Sequence, residues 1–217
     1  MPKSDTKQRI LNAASELFYQ NGYSETTVAE IIEYSQTNKG SFYHHFDDKP
    51  HLGYDIYQGM LKAIDDCIRN LYPTVQTIDR FFLQECLFWR LLFQEPQIRR
   101  FAAGLLTACS IDLKAEFFDA ILDLSSVDLS TRELLMIQGV ELSVRCWFTA
   151  YVHNIIERLR EEELVSFYLR SWLCLYHIPP DVVDSYLITT NKLMCSLSID
   201  NDVFQVSVRF TEDKHSL

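Results

Sequence analysis

Two short segments with helical apolar spacing, separated by three polar residues at 35–37, constrain the fold of this chain more than any other feature. The first segment opens with Thr27 and Glu30, which have the spacing of a capping box at a helix start. The second opens with Asn38, whose side chain suits a helix cap. The pattern therefore predicts two short helices joined by a three-residue turn, which is the outline of a helix-turn-helix.

A longer helix is predicted on each side of this pair. Residues 4–20 place apolar side chains at helical spacing and stop at Asn21-Gly22, a sequence that suits a helix end. Another helix is expected from Lys49-Pro50 to about residue 71, since proline is well tolerated in a first helical turn. Its apolar residues recur every four positions, at Leu52, Ile56, Met60, Ile64 and Ile68.

The remainder of the chain predicts one helix after another, at about residues 74–94, 97–109, 112–123, 131–160, 162–177 and 181–195. Near the end, an alternating apolar pattern fits either a strand or an irregular tail, at Phe204, Val206, Val208 and Phe210. We expect the tail, because a lone strand would have no partner. The fold class is therefore all-α, with a three-helix helix-turn-helix domain followed by a larger helical domain.

Composition and charge limit the kinds of partner. Hydrophobic residues make up 47% and charged residues 23% of the 217, the balance of an ordinary globular protein. The formal net charge of −10 argues against a protein that coats nucleic acid, because non-specific phosphate binding needs a basic surface. Residues 1–50 hold five Lys/Arg and seven Asp/Glu, so DNA contact there must come from a small local patch.

The sequence carries no sign of a membrane protein, a metal site or an enzyme. Its apolar stretches are far shorter than the roughly 20 residues of a bilayer span, and no secretory signal is evident, so a soluble cytoplasmic protein is expected. The six cysteines lie 19 or more residues apart, which indicates buried thiols rather than zinc ligands. Without a phosphate loop or a nucleophile motif, we expect neither catalysis nor a cofactor.

The segments at 27–32 and 38–49 resemble the amino-terminal domain of the TetR (tetracycline repressor) family of regulators. The likeness covers roughly residues 7–56, and its most specific part is the run Lys-Gly-Ser-Phe-Tyr-His-His-Phe that begins at Lys39. One departure lies in the turn at 34–36, where Tyr-Ser-Gln stands in place of the small residues and glycine usual in the family. The base contacts beside this turn are therefore less well defined by the resemblance than the domain is.

The resemblance implies a homodimeric, sequence-specific transcription regulator, a repressor that a small-molecule effector releases from a palindromic operator on double-stranded DNA. Residues 1–50 would form the DNA-binding domain and residues 51–217 the helical effector-binding and dimerisation domain. The helix at 50–71 would link them mechanically. Two alternatives remain open: a DNA-binding regulator without a small-molecule effector, and a helical protein-interaction module that has lost DNA binding.

The exposed side of the second short helix offers hydroxyl, amide and cationic groups, which reach phosphates and base edges. The resemblance implies phosphate contacts from Thr27, Tyr43, His44 and Lys49, and base-facing positions around Thr37, Asn38 and Ser41, with Lys39 beside them. On the other side, Phe42 and Phe46 are expected to form a small core, and Gly40 to let the helix cross close to its partner.

Simpler roles exist for two of these residues. His44 and His45 suit a metal poorly, because neighbouring side chains on a helix diverge by about 100° and no third ligand is close in sequence. Tyr43 also fits an ordinary surface aromatic. We therefore expect no metal site.

An effector pocket is expected among the aromatic residues of the larger domain, because ligand pockets are lined in this way. The candidates are Phe88, Trp89, Phe93, Phe117, Trp147 and Tyr151, with Arg90 as a partner for an anionic effector. Ordinary core packing for the aromatics, and a surface position for Arg90, are the alternatives.

Two stripes of large residues predict a dimer interface of four helices about a twofold axis. The stripe on the 131–160 helix includes Phe148, Val152 and Ile155, and that on the 162–177 helix includes Val165, Tyr168, Leu169, Trp172 and Tyr176. The alternative is that both stripes face the core of a monomer. A dimer would let two recognition helices read the two halves of a palindrome.

Overall fold

The computed structural model describes residues 3–75, 77–108, 163, 166–167, 170 and 180–211, and the structural statements below concern these residues. They are mostly helical, so the expected fold class is confirmed, with two short strands added. In chain order the elements are α1 (Lys3–Asn21), α2 (Val28–Tyr34), α3 (Lys39–His45), α4 (Lys49–Leu71), α5 (Thr77–Gln94), α6 (Pro96–Ala108), α7 (Pro180–Cys195), β1 (Leu197–Asp202) and β2 (Gln205–Phe210).

Local capping fixes where α2 and α3 begin. The Thr27 hydroxyl accepts from the Glu30 amide at 3.2 Å, and the Glu30 carboxylate accepts from the Thr27 amide at 2.7 Å, which completes the predicted capping box. The Asn38 side chain accepts from the Ser41 amide at 2.9 Å. Each cap contributes about 1 kcal/mol, which matters for helices of seven residues.

The end of α1 is fixed by a glycine and by a side chain from α6. Gly22 has a φ of +89°, a left-handed conformation that glycine adopts without steric cost. Beside it, Arg100 donates to the carbonyls of Tyr19 at 3.2 Å and Gln20 at 2.6 Å. These bonds satisfy carbonyls at the helix end, so α6 holds the end of α1 in place.

One continuous hydrophobic core joins α1, α4, α5 and α6. Gly53 of α4 lies at a very close contact, because a Cβ there would be 2.8 Å from Leu105 Cδ1 of α6 and 2.9 Å from Tyr23 Cε2. Tyr23, in the loop between α1 and α2, is only 1% exposed. Glycine at position 53 therefore lets the helix-turn-helix module, α1–α3, dock directly on α4 and α6.

The carboxy-terminal segment forms a β-hairpin, so the expectation of an irregular tail is wrong. β1 and β2 pair antiparallel, and β1 supplies the partner that the sequence analysis did not find. β2 packs along α4 and β1 along α5. The apolar residues that face the core, and whose burial stabilises the hairpin, are Leu197, Ile199, Val206 and Val208.

Two further expectations concern the burial of the cysteine thiols and the length of the apolar stretches. Cys86 is buried and Cys67 half-buried, but Cys195 is exposed, so the expectation of buried thiols is wrong for Cys195. Across the described parts of the chain, no helix is both long and apolar enough to cross a membrane.

Candidate nucleic-acid interface

Helix α3 has one buried side and one exposed side. On the buried side, Phe42 is fully buried and Phe46 is 4% exposed, with ring centroids 5.9 Å apart. Both belong to the core that also contains Ile10 of α1 and Ile31 of α2. This packing fixes the orientation of α3, so its other side presents a defined set of groups.

The exposed side of α3 brings together most of the residues predicted to contact DNA. Asn38, Lys39, Tyr43 and His44 are exposed, whereas Thr37 and Ser41 are half-buried at the edge of this surface. Tyr43 is 48% exposed although it is a large aromatic residue. The Lys39 ammonium lies 5.9 Å from the Tyr43 ring centroid, within the range of a cation–π contact. Their DNA contacts remain predictions.

Thr27 is exposed at the start of α2, but its hydroxyl already has a partner. The hydroxyl donates to the Glu30 carboxylate at 2.7 Å. This bond, with the one from the Thr27 amide, holds the pKa of the Glu30 carboxyl below its ordinary value. Because a hydroxyl has a single hydrogen, Thr27 must give up this bond to donate to a phosphate, and its predicted contact is untested.

Lys49 stabilises the helix-turn-helix module by binding the loop before α2. Its ammonium donates to the carbonyls of Tyr23 at 3.0 Å and Thr26 at 2.9 Å, and it lies 4.4 Å from the Tyr23 ring centroid. Burial lowers the pKa of this lysine. Two of its three hydrogens are therefore used in bracing the loop before α2, and the phosphate contact stays a prediction.

Gly40 does not lie at a close helix crossing, so the role expected for it is wrong. Gly40 is exposed, and within the described structure a Cβ placed there would meet only the Asn38 side chain, at 3.3 Å, besides its chain neighbours and the backbone of its own helix. The close crossing of the fold is at Gly53 instead. Glycine at position 40 leaves the exposed side of α3 open to an approaching surface.

The turn between α2 and α3 is held by hydrogen bonds from both sides. Within it, the Thr37 amide donates to the Ile32 carbonyl at 3.0 Å, and the hydroxyls of Ser35 and Thr37 lie 2.8 Å apart. From α1, the Arg9 guanidinium donates to the carbonyls of Ser35 at 2.6 Å and Gln36 at 3.0 Å. The role of Arg9 could not be predicted from the sequence, because an arginine before an apolar residue on a helix usually points into solvent.

Gln36 adopts a φ of +51°, where glycine is favoured. We expect Gln36→Gly to raise the free energy of unfolding by up to about 1 kcal/mol, because it removes the steric cost of the left-handed backbone. Thermal and urea unfolding of the two proteins measure this change. The same substitution at the exposed helical Gln8 should instead cost about 1 kcal/mol. A loss of stability at both positions would contradict the strained turn.

We expect Arg9→Met to weaken DNA binding by about tenfold, because it removes two charge-assisted bonds from the turn that carries Thr37. Arg9→Lys should recover part of the loss, since an ammonium replaces one of the two bonds. Titration of a labelled duplex measures the affinity, and circular dichroism checks that the helices remain. Unchanged affinity in Arg9→Met would show that the turn does not need this support.

The residues predicted for an effector pocket fall into two groups. Phe88 and Trp89 are buried in the core, at 4% and 6% exposure, and Phe93 is half-buried with its ring 6.4 Å from that of Trp89. Phe88 also stacks edge-on against Tyr57 of α4, with centroids 5.2 Å apart. The other three aromatic candidates lie outside the described residues: Phe117, Trp147 and Tyr151.

Arg90 is half-buried, and its partners among the described residues are backbone carbonyls. Its guanidinium donates to the carbonyls of Met194 at 3.0 Å and Leu197 at 2.7 Å. Arg90 thereby ties α5 to the end of α7 and to the first residue of β1. Both bonds are donated by the same nitrogen atom, Nη1. The predicted contact of Arg90 with an anionic effector remains untested.

An open groove of about 510 Å³ lies elsewhere, between α1, α4 and the hairpin tip. Its apolar wall includes Leu11, Ile56 and Phe204, and its polar edge includes Glu16 and Asp55. None of the predicted pocket residues lines this groove.

The predicted dimer interface is not tested by the structure. Every residue of the two stripes lies outside the described residues: Phe148, Val152, Ile155, Val165, Tyr168, Leu169, Trp172 and Tyr176.

Comparisons with known proteins bear on residues 10–52, which match the family of bacterial regulatory proteins of the tetR type. The regulator QacR of Staphylococcus aureus is 46% identical over 50 residues, which are 23% of this chain and 27% of QacR. The regulator AcrR of Shigella flexneri is 39% identical over 54 residues, 25% of each chain. The chain thus matches only about a quarter of the length of these two relatives.

A solved structure extends the likeness of the fold to most of the chain. TylP, described as a TetR regulator from Streptomyces fradiae, superposes with a TM-score of 0.50 at 18% sequence identity, over 89% of this chain and 92% of TylP. At this identity the superposition speaks for the fold alone.

A three-helix module with a packed recognition helix, docked on a helical body, defines the helix-turn-helix class of DNA-binding domains. Residues 10–52 match the TetR family of bacterial regulatory proteins, so the resemblance seen in the sequence is confirmed for this segment.

Proposed function

We propose that the protein is a sequence-specific DNA-binding transcription regulator, a repressor that works as a homodimer on a palindromic operator. Residues 1–50 would bind DNA, and residues 51–217 would bind a small-molecule effector and the second subunit. Binding of the effector would shift the module through α4, so that effector and operator oppose each other's binding. The cytoplasm is the compartment in which we place this activity.

The observation that carries the proposal is the exposed side of α3. Asn38, Lys39, Tyr43 and His44 point away from a core that holds α3 rigidly through Phe42. An α-helix fits the major groove of B-DNA, which is about 12 Å wide, and amide and cationic side chains suit base edges and phosphates. A partly exposed tyrosine beside a lysine offers both a hydroxyl donor and a positive charge.

The repressor part of the proposal draws on a relative, and the effector part draws on the packing of the core. BepR of Brucella suis, which is 34% identical over 58 residues, carries the description of a transcriptional repressor. In this chain, the core continues from α1 into α4 and α6, so a change in the larger domain has a packed route to the module.

Charge favours one rival, a protein-interaction module that has lost DNA binding. Lys7 pairs with Asp55 at 3.0 Å, and Arg9 and Lys49 bind backbone carbonyls, whereas Lys39 is exposed. Few cations of the module are therefore directed at a phosphate backbone. The rival predicts that no duplex DNA is preferred over another.

The test is selection from a pool of random duplexes by the full-length protein, followed by sequencing. We expect an inverted repeat, with half-sites about one or more helical turns apart, as a dimer requires. Tyr43→Ala should lose the enrichment. Phe210→Ala is the matched control, since both aromatic side chains are 48% exposed and Phe210 lies on the hairpin. A pool without any enriched sequence would contradict the proposal and favour the rival.

A further inference from the structure

The tip of the carboxy-terminal hairpin has an unusual backbone. Val203 and Phe204, the two residues between β1 and β2, have φ values of +45° and +69°. Two-residue hairpin turns with two positive φ values strongly prefer Asn-Gly or similar pairs. A β-branched residue and an aromatic residue adopt this conformation only where surrounding contacts hold them in it.

The contacts that hold the tip come from within the hairpin, where the Asn201 side chain accepts from the Phe204 amide, and from both sides of one junction. The Phe204 ring, 7% exposed, lies 4.7 Å from the Phe101 centroid of α6 and 6.0 Å, edge-on, from the Tyr19 centroid of α1. Phe101 also stacks on Phe18 of α1 at 5.4 Å. The ring of Phe204 therefore fills the junction between the helix-turn-helix module, α1–α3, and the body of the protein, α4–α6.

Other links across this junction also hold α1 against the rest of the protein. The Tyr19 hydroxyl bonds to the Glu95 carboxylate at 3.1 Å, and Arg100 holds the carbonyl of Tyr19. α1 in turn supports the turn before α3 through Arg9. A small change in the tilt of α1 is thus passed to the recognition helix.

The base of the hairpin is anchored to the body of the protein, at α5 and at the end of α4. Arg90 of α5 binds the Leu197 carbonyl, and the hydroxyls of Tyr72 and Ser196 lie 3.0 Å apart. The hairpin therefore extends from the body, where its base is bound, to the module, where its tip makes contact. The groove of about 510 Å³ beside Val203 and Phe204 leaves space on one side of the tip.

We propose that the hairpin tip is a conformational wedge: with Phe204 seated between Tyr19 and Phe101, it fixes the tilt of α1 and of the recognition helix relative to α4 and α6. With the tip withdrawn, α1 samples several orientations, and only a fraction of the molecules match a given operator. This proposal rests on the proposed function for its DNA readout, but its structural readout is independent of DNA.

The structural test is hydrogen exchange on the full-length protein without DNA. We expect Phe204→Ala to speed exchange of the α1 amides near Tyr19 by about tenfold or more, because the junction opens more often. Phe210→Ala is the matched control, since Phe210 belongs to the same hairpin but contacts Tyr72 at 5.6 Å. Exchange near Tyr19 that is unchanged in Phe204→Ala, or equally faster in Phe210→Ala, would overturn the wedge.

The functional test uses the duplex selected by wild-type protein, with one or two base pairs added or removed between its half-sites. We expect wild type to bind one spacing best. Phe204→Ala should bind that spacing about tenfold more weakly and should discriminate less among spacings. A parallel loss at all spacings would indicate simple destabilisation and would overturn the wedge.

Two further variants keep the test decisive. Val203→Gly relieves the backbone strain and retains the Phe204 ring, so it should match wild type in both readouts. If Phe204→Ala fails to fold, Phe204→Leu keeps most of the apolar volume, and the same exchange increase is expected to a smaller extent. If wild type selects no duplex, the proposed function fails. Hydrogen exchange alone then tests whether the hairpin tip fixes the position of α1.

Discussion

Phe42→Ala is expected to lower the free energy of unfolding by about 3–5 kcal/mol and to abolish DNA binding. Phe42 is fully buried, so alanine at this position leaves a cavity in the core. Because α3 has only seven residues, the helix has few other side chains that could fill the cavity. The whole stability of a typical domain is only about 5–15 kcal/mol. The substitution should therefore remove a large fraction of the stability, and α3 should lose the fixed orientation that DNA binding requires.

Tyr43→Ala provides the matched comparison, because it removes the neighbouring aromatic side chain, which is 48% exposed. Its unfolding free energy should fall by less than about 1 kcal/mol, as is usual for surface substitutions. Urea titrations followed by circular dichroism measure both values. Equal losses of stability would mean that α3 lacks the distinct buried and exposed sides described above.

Gly53→Ala is expected to destabilise the protein by about 1–3 kcal/mol, the cost of overpacking a filled core. The added Cβ would meet Leu105 Cδ1 at 2.8 Å and Tyr23 Cε2 at 2.9 Å, so these two side chains, or the elements that carry them, must move. Because both neighbours belong to the docking site of the module, DNA binding should weaken as well.

Gly59→Ala on the same helix should have the opposite sign. Position 59 is exposed, and a Cβ there would meet no described atom within 4 Å apart from its chain neighbours and the backbone of its own helix, so helix propensity alone applies. We expect a gain of about 0.5–1 kcal/mol. Thermal unfolding of the two variants decides the matter, and stabilisation by both would show that α4 does not approach Tyr23 and Leu105 so closely.

Sequence predicted the helix-turn-helix well because its determinants are local. The capping groups at Thr27 and Asn38 act within one turn of their own helices, and the apolar spacing of α3 needs only Phe42 and Phe46 to identify its buried side. Gly22 also ends α1 where the Asn-Gly pair indicated. Such features do not depend on distant parts of the chain.

The hairpin was missed because its turn depends on tertiary contacts. Val203-Phe204 lacks the glycine or asparagine that marks a two-residue hairpin turn. Besides the local bond from the Phe204 amide to the Asn201 side chain, its conformation is held by Phe101 and Tyr19, more than 100 residues away in sequence. Without a visible turn, the apolar alternation from Phe204 onward had no partner strand.

The charged residues show a second limit of sequence analysis. Arg9, Lys49 and Arg90 all donate to backbone carbonyls of other segments. A cation on a helix carries no local sign of whether it faces solvent, a phosphate or a carbonyl. Gly40 and Gly53 also could not be distinguished from the sequence. Gly40 faces open space, whereas Gly53 lies where α4 closely approaches α6 and Tyr23.

The claim that the exposed side of α3 binds DNA is tested most directly by fluorescence anisotropy. The full-length protein is titrated against the intergenic duplex beside its own gene and against a scrambled duplex, at several salt concentrations, as wild type, Tyr43→Ala and Phe210→Ala. We expect preference for the intergenic duplex, a loss of about tenfold in Tyr43→Ala and none in Phe210→Ala. Because few module cations face outward, the slope of log K against log salt should be shallow, between about −2 and −4. Equal binding to both duplexes, or equal affinity of Tyr43→Ala and wild type, would contradict the claim.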